Sequence, residues 1–234
     1  MADILEIADL SVGYGDGVQA LVGVSLHVPA GGRVGLIGPN GAGKTTLQLA
    51  IMGGVKHDGR IVVDGIELSR RTTAEVRNRC GMIFENPDDQ LFMPTLLDDV
   101  AFGPLNQGYE PSQAEARSRA AIAAVGLAGL ESRSGHHLSA GQKRSAALAT
   151  VLSMNVKLLL LDEPASGLDC RSRRRLIELL AAREEAMLLA THDLDLVAAL
   201  CREVVLLDAG RVIANGPVQE LLADAALLAE HGLR

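Results

Sequence analysis

Gly38-Pro39-Asn40-Gly41-Ala42-Gly43-Lys44-Thr45-Thr46 is the stretch on which the reading of this chain turns. Its first eight residues satisfy G-x-x-x-x-G-K-[ST], the P-loop pattern, and Thr46 extends it by one more hydroxyl. Upstream, Arg33-Val-Gly-Leu-Ile37 reads as a short buried strand; downstream, Lys44 to Met52 reads as a helix. That setting gives each residue type a task. Glycines let backbone N–H groups turn inward around phosphate oxygens, and the helix N-terminus adds partial positive charge. Lys44 is expected to reach the β- and γ-phosphates of a nucleotide, and the Thr45 hydroxyl to ligate Mg²⁺. A glycine-rich turn that merely joined strand to helix would not need Lys-Thr at the helix start. The loop also lacks G-x-G-x-x-G, which sets dinucleotide oxidoreductases aside.

A second motif supplies the acid such a site needs. Leu158-Leu-Leu-Leu-Asp162-Glu163 reads as a buried strand delivering a carboxylate to its C-terminal end. Asp162 is expected to hold Mg²⁺ through water, and Glu163 to orient and polarise the attacking water as a general base.

Outward from these motifs, Ile4 to Leu10 and Val24 to Val28 alternate as half-buried strands do. Asp64-Gly65 between Ile61-Val62-Val63 and Ile66-Glu67-Leu68 predicts a tight hairpin. Thr72-Thr-Ala-Glu75 and Ser112-Gln-Ala-Glu115 have capping-box spacing and are expected to open helices. Met82-Ile83-Phe84 reads as a strand, whereas Asn86 to Tyr109 is rich in turn formers. A helix is expected from about Gly141 to Ser153, and strands return at Leu158 to Leu161, Met187 to Ala190 and Val204 to Leu207. Strand–helix alternation of this kind predicts a largely parallel sheet covered by helices, with a helical insertion between its halves.

Composition bounds the function. Aromatic residues are 2% with no Trp, which leaves little for stacking bases or sugars, and a net charge of −7 disfavours a general nucleic-acid binder. The basic run Arg171, Arg173, Arg174 and Arg175 reads as a solvated helix face. Three cysteines without a CxxC pair suit a reducing compartment. No apolar run approaches the ~20 residues needed to span a bilayer. The beginning of the sequence also lacks a basic signal region, so a cytosolic chain is expected, its membrane role borrowed from a partner.

These motifs, with Leu138-Ser139-Ala140-Gly141-Gln142, resemble the ATP-binding cassette (ABC) family; Ala140 stands where glycine is most usual. Tyr14 looks like the aromatic that stacks on adenine, Ser166-Gly-Leu-Asp169 like the D-loop, and His192 in Thr-His-Asp like the switch histidine that contacts the γ-phosphate. The resemblance implies an α/β P-loop NTPase (RecA-like) fold: a mainly parallel sheet core, an N-terminal antiparallel β subdomain and an inserted helical subdomain. It implies a single ATPase domain over 1–234, with 1–84 and 157–234 as the nucleotide-binding core and 85–156 as the helical subdomain carrying the signature. It implies ATP and Mg²⁺ as cofactors and a head-to-tail dimer, with a second copy or a close paralogue. In that dimer Ser139, Ala140, Gly141 and Gln142 serve the partner's nucleotide.

One position departs from the family. The strand ending near Phe84 normally delivers a glutamine to Mg²⁺ and the γ-phosphate, and this chain has Glu85 there. A carboxylate can ligate Mg²⁺ but adds negative charge beside the triphosphate, which leaves slower hydrolysis and a partly protonated Glu85 both open. Gln90 lies close enough in sequence to be a minority substitute.

Asn86-Pro-Asp-Asp-Gln-Leu-Phe92 followed by Asp98-Asp99-Val-Ala-Phe-Gly-Pro104 resembles energy-coupling-factor importers, in particular their cobalt and nickel branch. His136-His137 and Gly167-Leu-Asp-Cys-Arg-Ser-Arg-Arg174 point the same way. The two histidines are read as loop residues before the signature, since adjacent side chains diverge and no third ligand stands near. Such resemblance implies a transmembrane coupling protein, a membrane component that captures substrate, no nucleic acid, and a place at the cytoplasmic face of the membrane. Asp88, Asp89, Asp98 and Asp99, with Leu91 and Phe92, are expected to line a groove for basic coupling helices. Vitamin import and a nucleotide-gated regulator with little turnover are the alternatives. A chromosome-type ATPase is excluded because only about fifty residues separate Glu85 from Leu138, too few for its coiled-coil arm.

Overall fold

The structure, a computed structural model, describes residues 2–15 and 17–233. In chain order, β1 (Asp3–Gly13), β2 (Gln19–Pro29) and β3 (Arg33–Ile37) precede α1 (Lys44–Ile51). Next come β4 (Asp58–Val63), β5 (Ile66–Glu67), α2 (Thr73–Arg79) and β6 (Cys80–Ile83). Three helices come after them: α3 (Leu96–Asn106), α4 (Pro111–Ala124) and α5 (Ala140–Leu152). The remainder is β7 (Leu158–Asp162), α6 (Cys170–Ala181), β8 (Ala186–Ala190), α7 (Leu194–Leu200), β9 (Glu203–Asp208), β10 (Arg211–Pro217), α8 (Val218–Ala223) and α9 (Ala225–Glu230). The chain divides into two compact units, one of Met1–Cys80, Lys157–Glu163 and Glu184–Arg234, the other of Gly81–Val156 and Pro164–Arg183. The second unit thus takes in α6, a stretch that the sequence reading places with the core.

In the first unit, strands run in the order β10-β9-β3-β8-β7. β9, β3, β8 and β7 are mutually parallel, and β10 is antiparallel to β9. Every residue of β7 and β8 is buried, as strands covered on both faces must be, which is why both read as unbroken apolar runs. A separate antiparallel sheet, β2-β1-β4-β5, carries the expected hairpin. Asp64 and Gly65 both take left-handed backbone, φ 50° and 74°, as a two-residue turn matched to strand twist requires. β10 escaped the sequence reading because its burial alternates weakly and never reaches the core.

The second unit packs α3, α4 and α5 around Leu91, Leu96, Val100, Ile122, Leu138 and Ala149. α3 lies inside the stretch expected to be turns. Thr95 caps it by accepting from the Asp98 N–H at 3.2 Å and donating to Asp98 Oδ2 at 2.6 Å. Pro104 cannot donate to the carbonyl one turn back, and the Ser153 hydroxyl donates to that Val100 carbonyl instead, at 2.8 Å. Neither expected capping box forms. The Thr72 hydroxyl donates to the Glu67 carbonyl at 2.6 Å and leaves α2 without a side-chain cap. α4 starts one residue before Ser112, with Pro111 at its first position, where a missing N–H costs nothing.

Leu91 and Asp99, expected in an outward groove, are interior, at 6% and 3% exposure. Asp99 Oδ1 accepts the N–H groups of Phe92 and Met93 at 2.9 and 2.8 Å, so the carboxylate shapes the segment entering α3 from within. Oδ2 has no hydrogen-bond partner among the described residues. Burial holds the Asp99 carboxyl above the ordinary carboxylate range, against the pull of those two N–H groups. A raised folded-state value means that Asp99 ionises later in the fold than in the unfolded chain. Its contribution to stability is therefore full at low pH and declines as pH rises past the ordinary carboxylate value. Asp99→Asn should keep the Oδ1 contacts and abolish that decline. Asp99→Ala should cost about 1–3 kcal/mol by orphaning two N–H groups. Urea titrations at several pH values read both effects.

Candidate nucleotide site

The site of the first unit begins with register. Ala190, the last residue of β8, stands opposite Leu36 of β3 on one side and Asp162 of β7 on the other. The loops leaving these strands therefore start at one level, at their carboxyl ends, where open α/β sheets bind ligands.

The loop after β3 is packed closely enough to demand glycine. A Cβ on Gly38 would overlap the Leu207 carbonyl, and one on Gly43, at φ 104°, would stand 2.7 Å from the Ala20 carbonyl. Lys44 is 7% exposed. Its Nζ donates to the Gly38 and Pro39 carbonyls at 2.7 and 3.0 Å, so the ammonium staples the loop it serves. Asn40, Gly41 and Ala42 complete the turn, and the Ala42 N–H donates back to the Pro39 carbonyl at 3.2 Å. The Thr45 hydroxyl donates to Asp162 Oδ2 at 2.7 Å, and Asp162 is 2% exposed. Tyr14 is 45% exposed and meets the Thr46 hydroxyl at 3.2 Å, which places it beside the start of α1.

Glu163 follows β7 with left-handed backbone, φ 44°, a conformation that costs a residue with a Cβ of order 1 kcal/mol and clusters at functional sites. Its side chain is nearly enclosed. Oε1 accepts the His192 N–H at 3.0 Å and lies 2.8 Å from His192 Nδ1, while Oε2 accepts the Thr191 hydroxyl at 2.7 Å. The His192 side chain is 61% exposed, so a core role for it is ruled out, and with Nδ1 engaged its Nε2 remains for a ligand. Thr191 is the residue that sequence reasoning passed over; only the Thr-His-Asp triplet itself could have drawn attention to it.

In the second unit, Ser139 caps α5 in a full capping box with Gln142. The Gln142 N–H donates to Ser139 Oγ at 3.3 Å, and the Ser139 N–H to Gln142 Oε1 at 2.9 Å. Ser-x-x-Gln is legible as such a box from the sequence. Ala140 opens the helix and Gly141 follows it, leaving its first two positions without bulk. Asp169 caps α6 through the Ser172 N–H at 2.7 Å, and that bond together with the Ser172 side chain holds its carboxyl below the usual range. Glu85 is exposed, and its carbonyl accepts from Arg144 Nη1 at 2.5 Å. Gln90 does not stand in for a missing glutamine. Its Oε1 accepts the Phe84 N–H, and its Nε2 donates to the Ala147 carbonyl and the Thr150 hydroxyl.

Of the expected groove residues, Asp88 is partnered by Lys143 at 2.6 Å, Asp89 and Asp98 are exposed, and Phe92 is 62% exposed with its ring edge-on to Phe102. His136 and His137 lie in a short 3₁₀ turn. Among the described residues no group of three His, Cys, Asp or Glu is placed to hold a metal ion, and no helix is long and apolar enough to cross a membrane. Cys80, Cys170 and Cys201 are free thiols, and burial pushes Cys80 and Cys201 up to about 12.

The model of the ABC transporter family matches residues 21–166. The chain belongs to that family. As an ABC cassette it has the P-loop NTPase fold and is an ATPase. The cobalt import ATP-binding protein CbiO of Rhodobacter capsulatus is 41% identical over 240 residues, 100% of this chain and 86% of that protein. The energy-coupling factor transporter ATP-binding protein EcfA of Methanothermobacter thermautotrophicus is 39% identical over 237 residues, 99% of this chain and 76% of that protein. The solved structure of cbiO1 from Clostridium perfringens, part of the ABC transporter complex cbiONQ, matches with a TM-score of 0.83 at 33% identity, covering 100% of this chain and 96% of that one.

For this ABC ATPase, Lys44→Ala removes the cation that braces the loop and that the P-loop pattern assigns to phosphate. ATP affinity, read by fluorescent-nucleotide titration, should fall at least about tenfold and turnover should be lost.

Proposed function

We propose that the chain is the ATP-hydrolysing subunit of an energy-coupling-factor importer that powers uptake of cobalt or nickel ions. The observation that carries it is similarity to EcfA and CbiO over 99–100% of a chain whose strand ends converge on Lys44, Thr45, Asp162, Glu163 and His192. ATP lies along Gly38–Thr46 with Tyr14 against the adenine. Thr45 and Asp162 offer the hard oxygen donors that Mg²⁺ takes, and when bound the ion offsets charge on the β- and γ-phosphates. Glu163 orients water and receives its proton as the water oxygen bonds to the γ-phosphorus and the bond to the ADP oxygen breaks. His192, its Nδ1 fixed by Glu163, offers Nε2 to the γ-phosphate.

Ser139, Ala140, Gly141 and Gln142 serve the nucleotide of a second copy or close paralogue stacked head to tail, and Asp169 belongs to the D-loop. Binding of ATP closes the pair and hydrolysis releases it, because the closed state is favoured only while the γ-phosphate is present. The pair sits at the cytoplasmic face of the membrane beneath a transmembrane coupling protein. A separate membrane component captures the ion. Asp89, Asp98 and Phe92, with Asp88 sharing its charge with Lys143, form the contact for basic coupling helices. Leu91 and Asp99 support that contact from inside. Exposed Glu85, with Gln90 committed elsewhere, favours a second reading, a nucleotide-gated regulator with little turnover.

Labelled cobalt and nickel uptake in native cells carrying Glu163→Gln as the sole copy tests the cargo. Loss of uptake of one ion is expected, and normal entry of both would redirect the search to vitamins. Asp89→Lys with Asp98→Lys should deplete the chain from isolated membranes while ATP affinity stays unchanged; undiminished recruitment would refute the contact surface.

A further inference from the structure

Thr191 lies one residue beyond β8 and is 1% exposed. Its N–H donates to the Leu36 carbonyl at 3.1 Å, which ties it to the strand feeding the P-loop. Its hydroxyl stands between two groups of fixed polarity. The Asp193 N–H, which can only donate, reaches Oγ1 at 3.1 Å. Glu163 Oε2 lies on the other side at 2.7 Å. A hydroxyl owns one proton and an ionised carboxylate only accepts, so that proton points at Glu163.

The opposite oxygen of the same carboxylate takes the His192 N–H. Consecutive residues of one turn therefore grip both oxygens, which fixes the plane of the carboxylate as well as its position. Glu163 needs such an outside grip. Its left-handed backbone turns the chain away from β7 as the strand ends, so the direction of its side chain is not dictated by the strand it follows. Its backbone N–H is itself bound to the Ala190 carbonyl at 2.9 Å, so the end of β8 holds the Glu163 main chain and the turn that follows it holds the side chain.

We propose that Thr191 is a positioning residue for Glu163, its hydroxyl setting the angle at which the carboxylate meets the attacking water. The proposal rests on Glu163 being the general base. Valine fills nearly the same space as threonine and keeps the strand preference, but it offers no proton, leaving Oε2 enclosed and free to swing. An error in angle degrades turnover rather than nucleotide binding, because the phosphate contacts come from a different loop.

The test uses the ATPase isolated from native cells together with the partners it retains. Thr191→Val should lower kcat by at least about tenfold while KM for ATP stays within about twofold, and Thr191→Ser should recover most of the loss. In single-turnover measurements on a Glu163→Gln background, Thr191→Val should add no further loss, since the group it orients is gone. Wild-type kcat in Thr191→Val, or the same proportional loss in both backgrounds, overturns the proposal. Undiminished turnover in Glu163→Gln alone would instead remove the role given to Glu163. If the valine variant does not fold, Thr191→Ala against Thr191→Ser makes the same comparison, and equal kcat in those two overturns it as well.

Discussion

Ala190 is the constraint on which the site depends. It pairs with Leu36 on one side and Asp162 on the other in a fully buried parallel sheet. Parallel strands all point one way, so their ends gather the P-loop, the Asp162-Glu163 pair and the Thr191-His192 pair along one edge. A slip of one residue at β8 would turn its side chains to opposite faces and pull Thr191 away from Glu163. Register here is fixed by packing on both faces, and the chemistry inherits that precision. Gly35 shows how close the covering layer lies, since a Cβ there would meet a Val197 methyl of α7 at 2.7 Å.

The polar groups at this edge satisfy one another before any ligand arrives. Lys44 is spent on loop carbonyls, Thr45 on Asp162, and Glu163 on Thr191 and His192. Buried polar atoms left alone would cost about 1–3 kcal/mol each, so this mutual pairing lets charged groups stand at the edge of a stable sheet. A ligand that engaged these groups would exchange partners with them rather than satisfy them for the first time.

What the sequence made legible was governed by local rules. The P-loop with its strand and helix, the Asp64-Gly65 turn and the buried run before Asp162 each rest on neighbouring residues, and each stands where expected. α3 was hidden because the bond Pro104 forgoes is replaced by Ser153, 53 positions away for the Val100 carbonyl it reaches. Once α3 is a helix, Asp99 turns inward, and Leu91 ahead of it joins the apolar cluster that α3 helps to form, which a groove drawn from composition alone could not anticipate. The capping boxes at Thr72 and Ser112 failed because a stronger local partner and an upstream proline took precedence. Thr191 could not be weighed at all without knowing that Glu163, 28 positions earlier, ends the adjacent strand.

The core unit is assembled from three separate stretches of chain. β3 lies between β8 and β9, and Gln48 of α1 already reaches 140 positions forward to the Leu188 carbonyl. A ribosome therefore releases the P-loop long before the strands that confine it, and the early chain carries an apolar β3 with both edges unpaired. Closure of such distant segments is slow, and the open edges invite pairing with other chains meanwhile. The α3–α5 core of the helical unit, which precedes β7 in the chain, faces no such wait. Nascent molecules should therefore pass through a period in which the helices are set while the nucleotide site does not yet exist, and chaperone dependence should be concentrated there.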